Sequence, residues 1–241
     1  MRFGVPERRC MMVKKTKKVI LFIVEGVTDE DALSPVLKKI FHKEEVRFHV
    51  VHGDITTERL INSTNAILTI NEVIRSEMKR YGFRSEDILK VIHIIDTDGA
   101  FIPATHVIEG KVDKIRYEDH QIITKNPQAI IERNRKKSIV VQKLYPAGKI
   151  GVLSYFVYYF SRNMEHVLHN ISKSLSSNDK VDYADLFADT YDKNPEAFMR
   201  FLRKSEFTVS NDYDESWRFI FIGTNSLHRH SNLHLLFEAD A

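Results

Sequence analysis

Apolar residues run without a break through VILFIV before Glu25 and Gly26. The stretch VILFIVEG, residues 19–26, has the β-branched and aromatic content of a strand covered on both faces, as a central parallel strand would be. The period then changes. Leu33, Val36, Leu37 and Ile40 recur at helical spacing, Thr28 stands at a capping position, and Asp29, Glu30 and Asp31 fill the first turn, where the helix dipole favours acids. RFHVVHG (47–53) predicts a second strand. Ile67, Ile70, Val73, Ile74 and Met78 predict the inner face of a helix over about 63–81, and VIHIIDTDG (91–99) predicts a third strand. Strand, helix, strand, helix, strand is the rhythm of an α/β fold with a mostly parallel sheet flanked by helices.

Farther along, residues 100–126 carry sparse apolar positions, and Pro103 and Pro127 interrupt any long element, so the segment reads as an insertion beside the Asp96 end of the third strand. Residues 129–145 predict a helix with a basic stripe of Arg133, Arg135, Lys136 and Lys137, and YFVYYFS (155–161) a further strand. From Asn163 the pattern is helical through NMEHVLHNISKSL, YADLFADTY, PEAFMRFLRK and a helix around Trp217, and it ends in a polar turn with His228, His230 and His234. The expected organisation is a basic leader over 1–18, an α/β domain over 19–162 containing the insertion, and an α-helical C-terminal region over 163–241. No flexible linker precedes that region, so it is expected to cap the domain and not to separate from it.

Composition narrows the setting. In a chain of 241 residues, 36 Lys plus Arg stand against 33 Asp plus Glu, so the net charge of +3 generates no strong global field and any basic surface must be local. The single cysteine, Cys10, excludes an internal disulfide and a cysteine-built zinc site, which fits a reducing compartment. The N-terminal stretch lacks an apolar core, and no later run is long enough to span a membrane. The expectation is a soluble, cytoplasmic protein, with Met1, Met11 and Met12 all open as the translation start.

The candidate chemistry lies at the strand ends. In an extended chain Asp96 and Asp98 share a face, and two like charges held together need a cation or a shared proton, while Gly99 permits a tight turn. Glu25 ends the first strand. Ligands of open parallel sheets sit at the carboxyl ends of the strands, and three carboxylates converging there would suit magnesium or manganese and hence phosphoryl transfer. The plainer reading makes Asp96-Thr97-Asp98-Gly99 a solvated turn and Glu25 a structural acid; their occurrence at equivalent ends of two strands favours the metal.

These same residues resemble a known family. IVEGVTDEDAL (23–33) followed by HIIDTDG (93–99) is similar to the Toprim domain of topoisomerases, bacterial primases, recombination mediators and OLD-type nucleases, and is closest to the OLD-type and RloB-like branches. The resemblance covers about residues 19–162. It implies a Rossmann-like, four-stranded parallel sheet and a magnesium or manganese site. There Glu25 acts as metal ligand or general acid/base, Asp96 and Asp98 act as ligands, and Asp29 matches an acidic position of the nuclease branch. FSRNMEHVLHN (160–170) resembles the neighbourhood of the last strand in RloB-like proteins, where Asn163 and Glu165 complete a second metal site or else cap and decorate a surface helix.

The implied function is metal-dependent cleavage of nucleic-acid phosphodiester bonds, as in a phage-defence effector. The alternative is a non-catalytic Toprim scaffold that binds nucleic acid or a partner ATPase. The chain has no phosphate loop of the G-x-x-x-x-G-K type, so ATP hydrolysis would belong to a partner, and topoisomerase activity is not expected. DNA or RNA as substrate and the oligomeric state are both open. Arg133, Arg135, Lys136 and Lys137, with Lys14, Lys15, Lys17 and Lys18, would either track a nucleic-acid backbone or form solvated faces. The histidines of the last turn have no acid or cysteine at zinc-ligand spacing and read as a solvated turn, while His166 and His169 read as packed helix residues ahead of a general base.

Overall fold

The computed structural model describes residues 17–171, 175–204 and 206–238; Lys14, Lys15, Cys10 and the alternative start methionines lie outside them. In chain order the strands are β1 (Val19–Val24), β2 (Glu45–Val50), β3 (Ile88–Asp96), β4 (Val107–Glu109), β5 (Arg116–Tyr117), β6 (Ile122–Thr124), β7 (Lys149–Ile150) and β8 (Leu153–Phe160). The helices are α1 (Val27–Ile40), α2 (Ala66–Tyr81), α3 (Pro127–Leu144), α4 (Met164–His169), α5 (Ser177–Asp192), α6 (Pro195–Leu202) and α7 (Tyr213–Ile220). The main sheet runs β2-β1-β3-β8-β7. Its first four strands are mutually parallel, and β7 turns back antiparallel to β8 as a short edge.

The alternation of β1 divides the core. Ile20, Phe22 and Val24 face one layer with Leu33, Val36 and Leu37 of α1, Phe187 of α5 and Phe198 of α6. Leu21 and Ile23 face the other with Ile70 and Ile74 of α2, Val140, Val141 and Leu144 of α3, and Trp217 of α7. Both sides of β1 are therefore dry, which is why its sequence is uniformly apolar. The C-terminal helices are not a cap over one end. They contribute to both layers, and Ser231 pairs with Phe160 at the end of β8.

The insertion is more ordered than its sparse apolar pattern predicts. β4 and β6 pair in parallel and β5 pairs antiparallel to β6, over a small core of Ile102, Val107, Ile122 and Ile130 closed by Leu227. Strands of two or three residues are too short to show a period of two in sequence.

One expectation about the third strand is corrected. Strand alternation stops at Asp96, because Asp98 adopts a left-handed conformation (φ 51°) followed by Gly99 (φ 65°), so the two aspartates leave the strand in different directions. The turn is anchored by Thr97 N–H donating to Phe160 O at 2.9 Å and Asp98 N–H donating to Arg162 O at 2.8 Å. Gly99 is required on two counts, its φ and its packing: a Cβ there would stand 2.5 Å from Leu227 Cδ2 and 3.1 Å from Ile122 Cδ1. Gly99→Ala is expected to lower stability by about 2 kcal/mol, from the left-handed penalty plus overpacking, as read by urea denaturation. An unchanged midpoint would show that Leu227 and the turn give way freely.

Candidate functional site

Each of the first three strands delivers an acid at its carboxyl end. Glu25 follows β1 directly and accepts from the Asp96 N–H at 3.2 Å, so the ends of β1 and β3 meet side chain to backbone. Asp29, in the first turn of α1, accepts from the Gly26 N–H at 2.9 Å and closes the helix start. Asp54, in the turn after β2, accepts from the Thr56 N–H and the Thr57 hydroxyl, each at 2.8 Å, and from the Thr56 hydroxyl.

A lysine lies among them. The Lys137 ammonium is 2.6 Å from Asp98 Oδ2, 2.9 Å from Asp54 Oδ2 and 3.7 Å from Glu25 Oε1, and its side chain is 0% exposed. The basic stripe is thus split by helix geometry. Arg133, Asn134 and Lys137 share the inward face of α3: Arg133 Nη2 donates to Asp98 O at 2.8 Å, its Nη1 donates to the Tyr117 hydroxyl at 3.0 Å, and Asn134 Nδ2 donates to Gly99 O at 3.3 Å. Arg133 and Lys137 are therefore structural partners of the Asp98 turn and not members of an outer basic track. Arg135 is exposed, Lys136 is half-buried with its ammonium on Glu58 O, and both line an open surface cleft with Arg59 and Gln128.

Asp96, Asp29 and Glu165 form a neighbouring group of acids, each close enough to act on another. Asn163 caps α4 by accepting from the His166 N–H at 2.9 Å, while Glu165 is buried beneath rather than on the surface. Lys180 of α5 reaches Glu165 Oε1 at 2.6 Å, and Glu165 Oε2 has no hydrogen-bond partner. His169 packs edge-on against Phe187 at 5.6 Å, and His166 is buried and held neutral, pushed down to about 4 by burial and by Arg162. The histidine-rich turn is not solvated as expected. His234 is buried, His230 is half-buried and pushed down to about 4 by burial and His228, and its N–H donates to Ser161 Oγ at 2.6 Å.

The electrostatics follow from this layout. Glu25 is raised well above the carboxylate range by burial and by Asp54, Asp98 and Asp29, against the lowering pull of Lys137. Asp96 is raised well above it by burial, Glu25, Asp29, Asp98 and Glu165. Asp54 moves the other way: burial would raise it, but Lys137 and the threonine donors together outweigh burial. Lys137 stays charged, since Asp98, Glu25 and Asp54 overcome the cost of its burial. Beneath them His93, hydrogen-bonded at 2.8 Å to the Tyr155 hydroxyl, is pushed down to about 4 by burial and is a neutral core residue.

All the acidic donors are oxygens, which suits a hard divalent cation, and the unpartnered Glu165 Oε2 together with the mutual repulsion around Asp96 points to a missing positive charge. Glu25, Asp96, Asp29 and Glu165 fit such an ion in chemistry; Asp98 already has its ammonium. Among the described residues no group of three or more His, Cys, Asp or Glu is arranged to hold an ion as it stands. Asp54 was missed in sequence, although it too stands after a strand at the same end of the sheet.

Asp29 supplies a pH test. Its carboxyl is pushed up from 3.8 to about 6 by burial and by Glu165, so between these values the folded chain binds more protons than the unfolded one and loses stability as pH rises. His93, His166 and His230 slope the opposite way over an overlapping window, and their contribution cancels when a variant is compared with wild type. Asp29→Asn is expected to gain stability relative to wild type between about pH 4 and about pH 6, as read by urea midpoints, and to hold that gain above. A difference independent of pH would place Asp29 in an uncoupled, solvated setting.

No helix among the described residues is long and apolar enough to cross a membrane. Set against protein-family models, curated proteins and solved structures, the chain matches none of them; its fold is α/β, with a mixed, mostly parallel sheet flanked by helices.

Proposed function

We propose that the chain is a Toprim-type nuclease that uses magnesium or manganese to cleave nucleic-acid phosphodiester bonds, as a phage-defence effector in the cytoplasm. The observation that carries this reading is the meeting of Glu25 and Asp96 across the carboxyl ends of two adjacent parallel strands, with Asp29 and Glu165 beside them and too little positive charge among them. Glu25, Asp96, Asp29 and Glu165 would hold the ion. When bound, such an ion polarises a phosphate and lowers the pKa of a water nucleophile. Glu25, whose carboxyl is raised by burial and its acidic neighbours, suits taking a proton from water and passing it on. Lys137 orients the Asp98 carboxylate, and Arg135 and Lys136 lie on the outer face of the same helix, where a nucleic-acid backbone could run. A partner ATPase belongs to this reading as an accessory, because the chain has no phosphate loop of its own.

One observation favours the second reading, a non-catalytic scaffold that binds nucleic acid or such a partner: Lys137 already compensates Asp98, Asp54 and part of Glu25. A panel of single- and double-stranded DNA and RNA, incubated with magnesium or manganese, separates the two. Wild type is expected to cleave at least one member, and Glu25→Gln and Asp96→Asn are each expected to lose about 100-fold or more in rate while still folding. Cleavage by Glu25→Gln at the wild-type rate would assign the activity to another site. A wild type inert on every substrate would leave the scaffold reading.

A further inference from the structure

Lys137 stands where a two-ion site would need its second cation. Three carboxylates surround its ammonium, at 2.6 Å for Asp98, 2.9 Å for Asp54 and 3.7 Å for Glu25, and no part of the side chain reaches solvent. Two sets of contacts hold it there. Arg133 and Asn134, one turn earlier on α3, are tied to the carbonyls of Asp98 and Gly99, so the helix and the turn move as one. Asp54 is aimed from the opposite side by the Thr56 N–H and the Thr57 hydroxyl. The far side of Glu25 has no fully buried cation ion-paired to three acids among the described residues. There Lys180, 39% exposed, pairs with Glu165 Oε1 at 2.6 Å and acts on Asp96 and Asp29 only at longer range, and the buried Glu165 Oε2 is left without a hydrogen-bond donor.

We propose that the cleft takes one divalent cation per chain, on the Glu25, Asp96, Asp29 and Glu165 side, and that the Lys137 ammonium permanently replaces a second ion on the Glu25, Asp54 and Asp98 side. This rests on the metal-dependent reading above. It makes Asp54 a positioning residue for Lys137 and removes Asp98 from the ion's ligands. It also changes the chemistry on offer: one Lewis acid works beside a fixed hydrogen-bond donor, in place of a symmetric pair of ions clamping the attacking and leaving oxygens.

The test is a manganese titration of the full chain, followed by the electron paramagnetic resonance signal of free manganese, with magnesium as competitor. Wild type is expected to bind one ion. Asp96→Asn is expected to weaken binding by about tenfold or more, whereas Asp54→Asn and Asp98→Asn keep one ion with affinity within about threefold. Lys137→Met, if it folds, is expected to take up a second ion, because three carboxylates lose their counter-charge together. Two ions on wild type would overturn the proposal and leave the nuclease reading standing. So would a folded Lys137→Met that holds only one ion, or Asp54→Asn and Asp98→Asn losing affinity as steeply as Asp96→Asn. No manganese on wild type would remove this proposal and the metal-dependent reading together.

Discussion

The charge on Lys137 is the constraint around which the strand ends are arranged. An ammonium with no exposed surface carries a large desolvation cost and is tolerated only where opposite charges meet it at close range in good geometry. Here Glu25, Asp54 and Asp98 come from the ends of β1, β2 and β3, and the lysine comes from α3, so one ionic cluster links four elements that are distant in sequence. Each acid alone would be expensive at its depth, and so would the lysine. Together they stabilise one arrangement of the β1, β2 and β3 ends, and losing Lys137 would leave the acids around it without their shared counter-charge, at a cost of about 3–5 kcal/mol.

The backbone around Asp98 is shaped by the same requirement. Its left-handed conformation carries the carboxylate off the strand's alternation and toward α3, where Arg133 takes its carbonyl and Lys137 its side chain. The strain of a non-glycine residue at positive φ is offset by these contacts and by the bond from the Asp98 N–H to Arg162 O. The insertion supports the arrangement from outside, since Tyr117 of β5 accepts from Arg133, and Ile122 packs over Gly99 with Leu227. The C-terminal third is equally bound up with the site. α4 supplies Glu165 and α5 supplies Lys180, so the acid cluster is completed only when the last helices have packed onto α1.

Much of this was legible in the sequence, and the failures have specific causes. β1, β3, α1 and α3 announced themselves through a continuous apolar run or a period near 3.6, and Glu25 and Asp96 followed from acids that end such runs. Lys137 was misread because it lies in the charge run RNRKK, where every residue looks solvated. A helical count would have placed it differently: Ile130, Asn134, Lys137, Val141 and Leu144 fall at alternating spacings of four and three and form the buried stripe of α3. Asp54 carried the same strand-end signal as Glu25, but it sits beyond His52 and Gly53 in a turn with no periodicity of its own. The placement of Asp98 was out of reach, because alternation says nothing about where a chain leaves its strand. The histidine turn was misread because its polar composition conceals its packing beside Ser161, at the end of β8.

The two halves of the cluster answer the same electrostatic problem by different means. Around Asp98 the compensating charge is covalently part of the fold, always present and independent of what the solvent contains. Around Asp96 the fold supplies only Lys180, held on Glu165, and the carboxyls of Glu25, Asp96 and Asp29 are all raised, by burial and by their acidic neighbours. On the metal-dependent reading a proton and a divalent ion would compete for the Asp96 half, while the Lys137 ammonium already fills the Asp98 half. Glu25 belongs to both halves, since its Oε1 faces the Lys137 ammonium at 3.7 Å and also accepts from the Asp96 N–H. Whatever occupies the Asp96 side is felt at Glu25 against a fixed positive charge. On that reading Glu25 would hold or release a proton according to what its Asp96 neighbour holds, beside an ammonium that does not change.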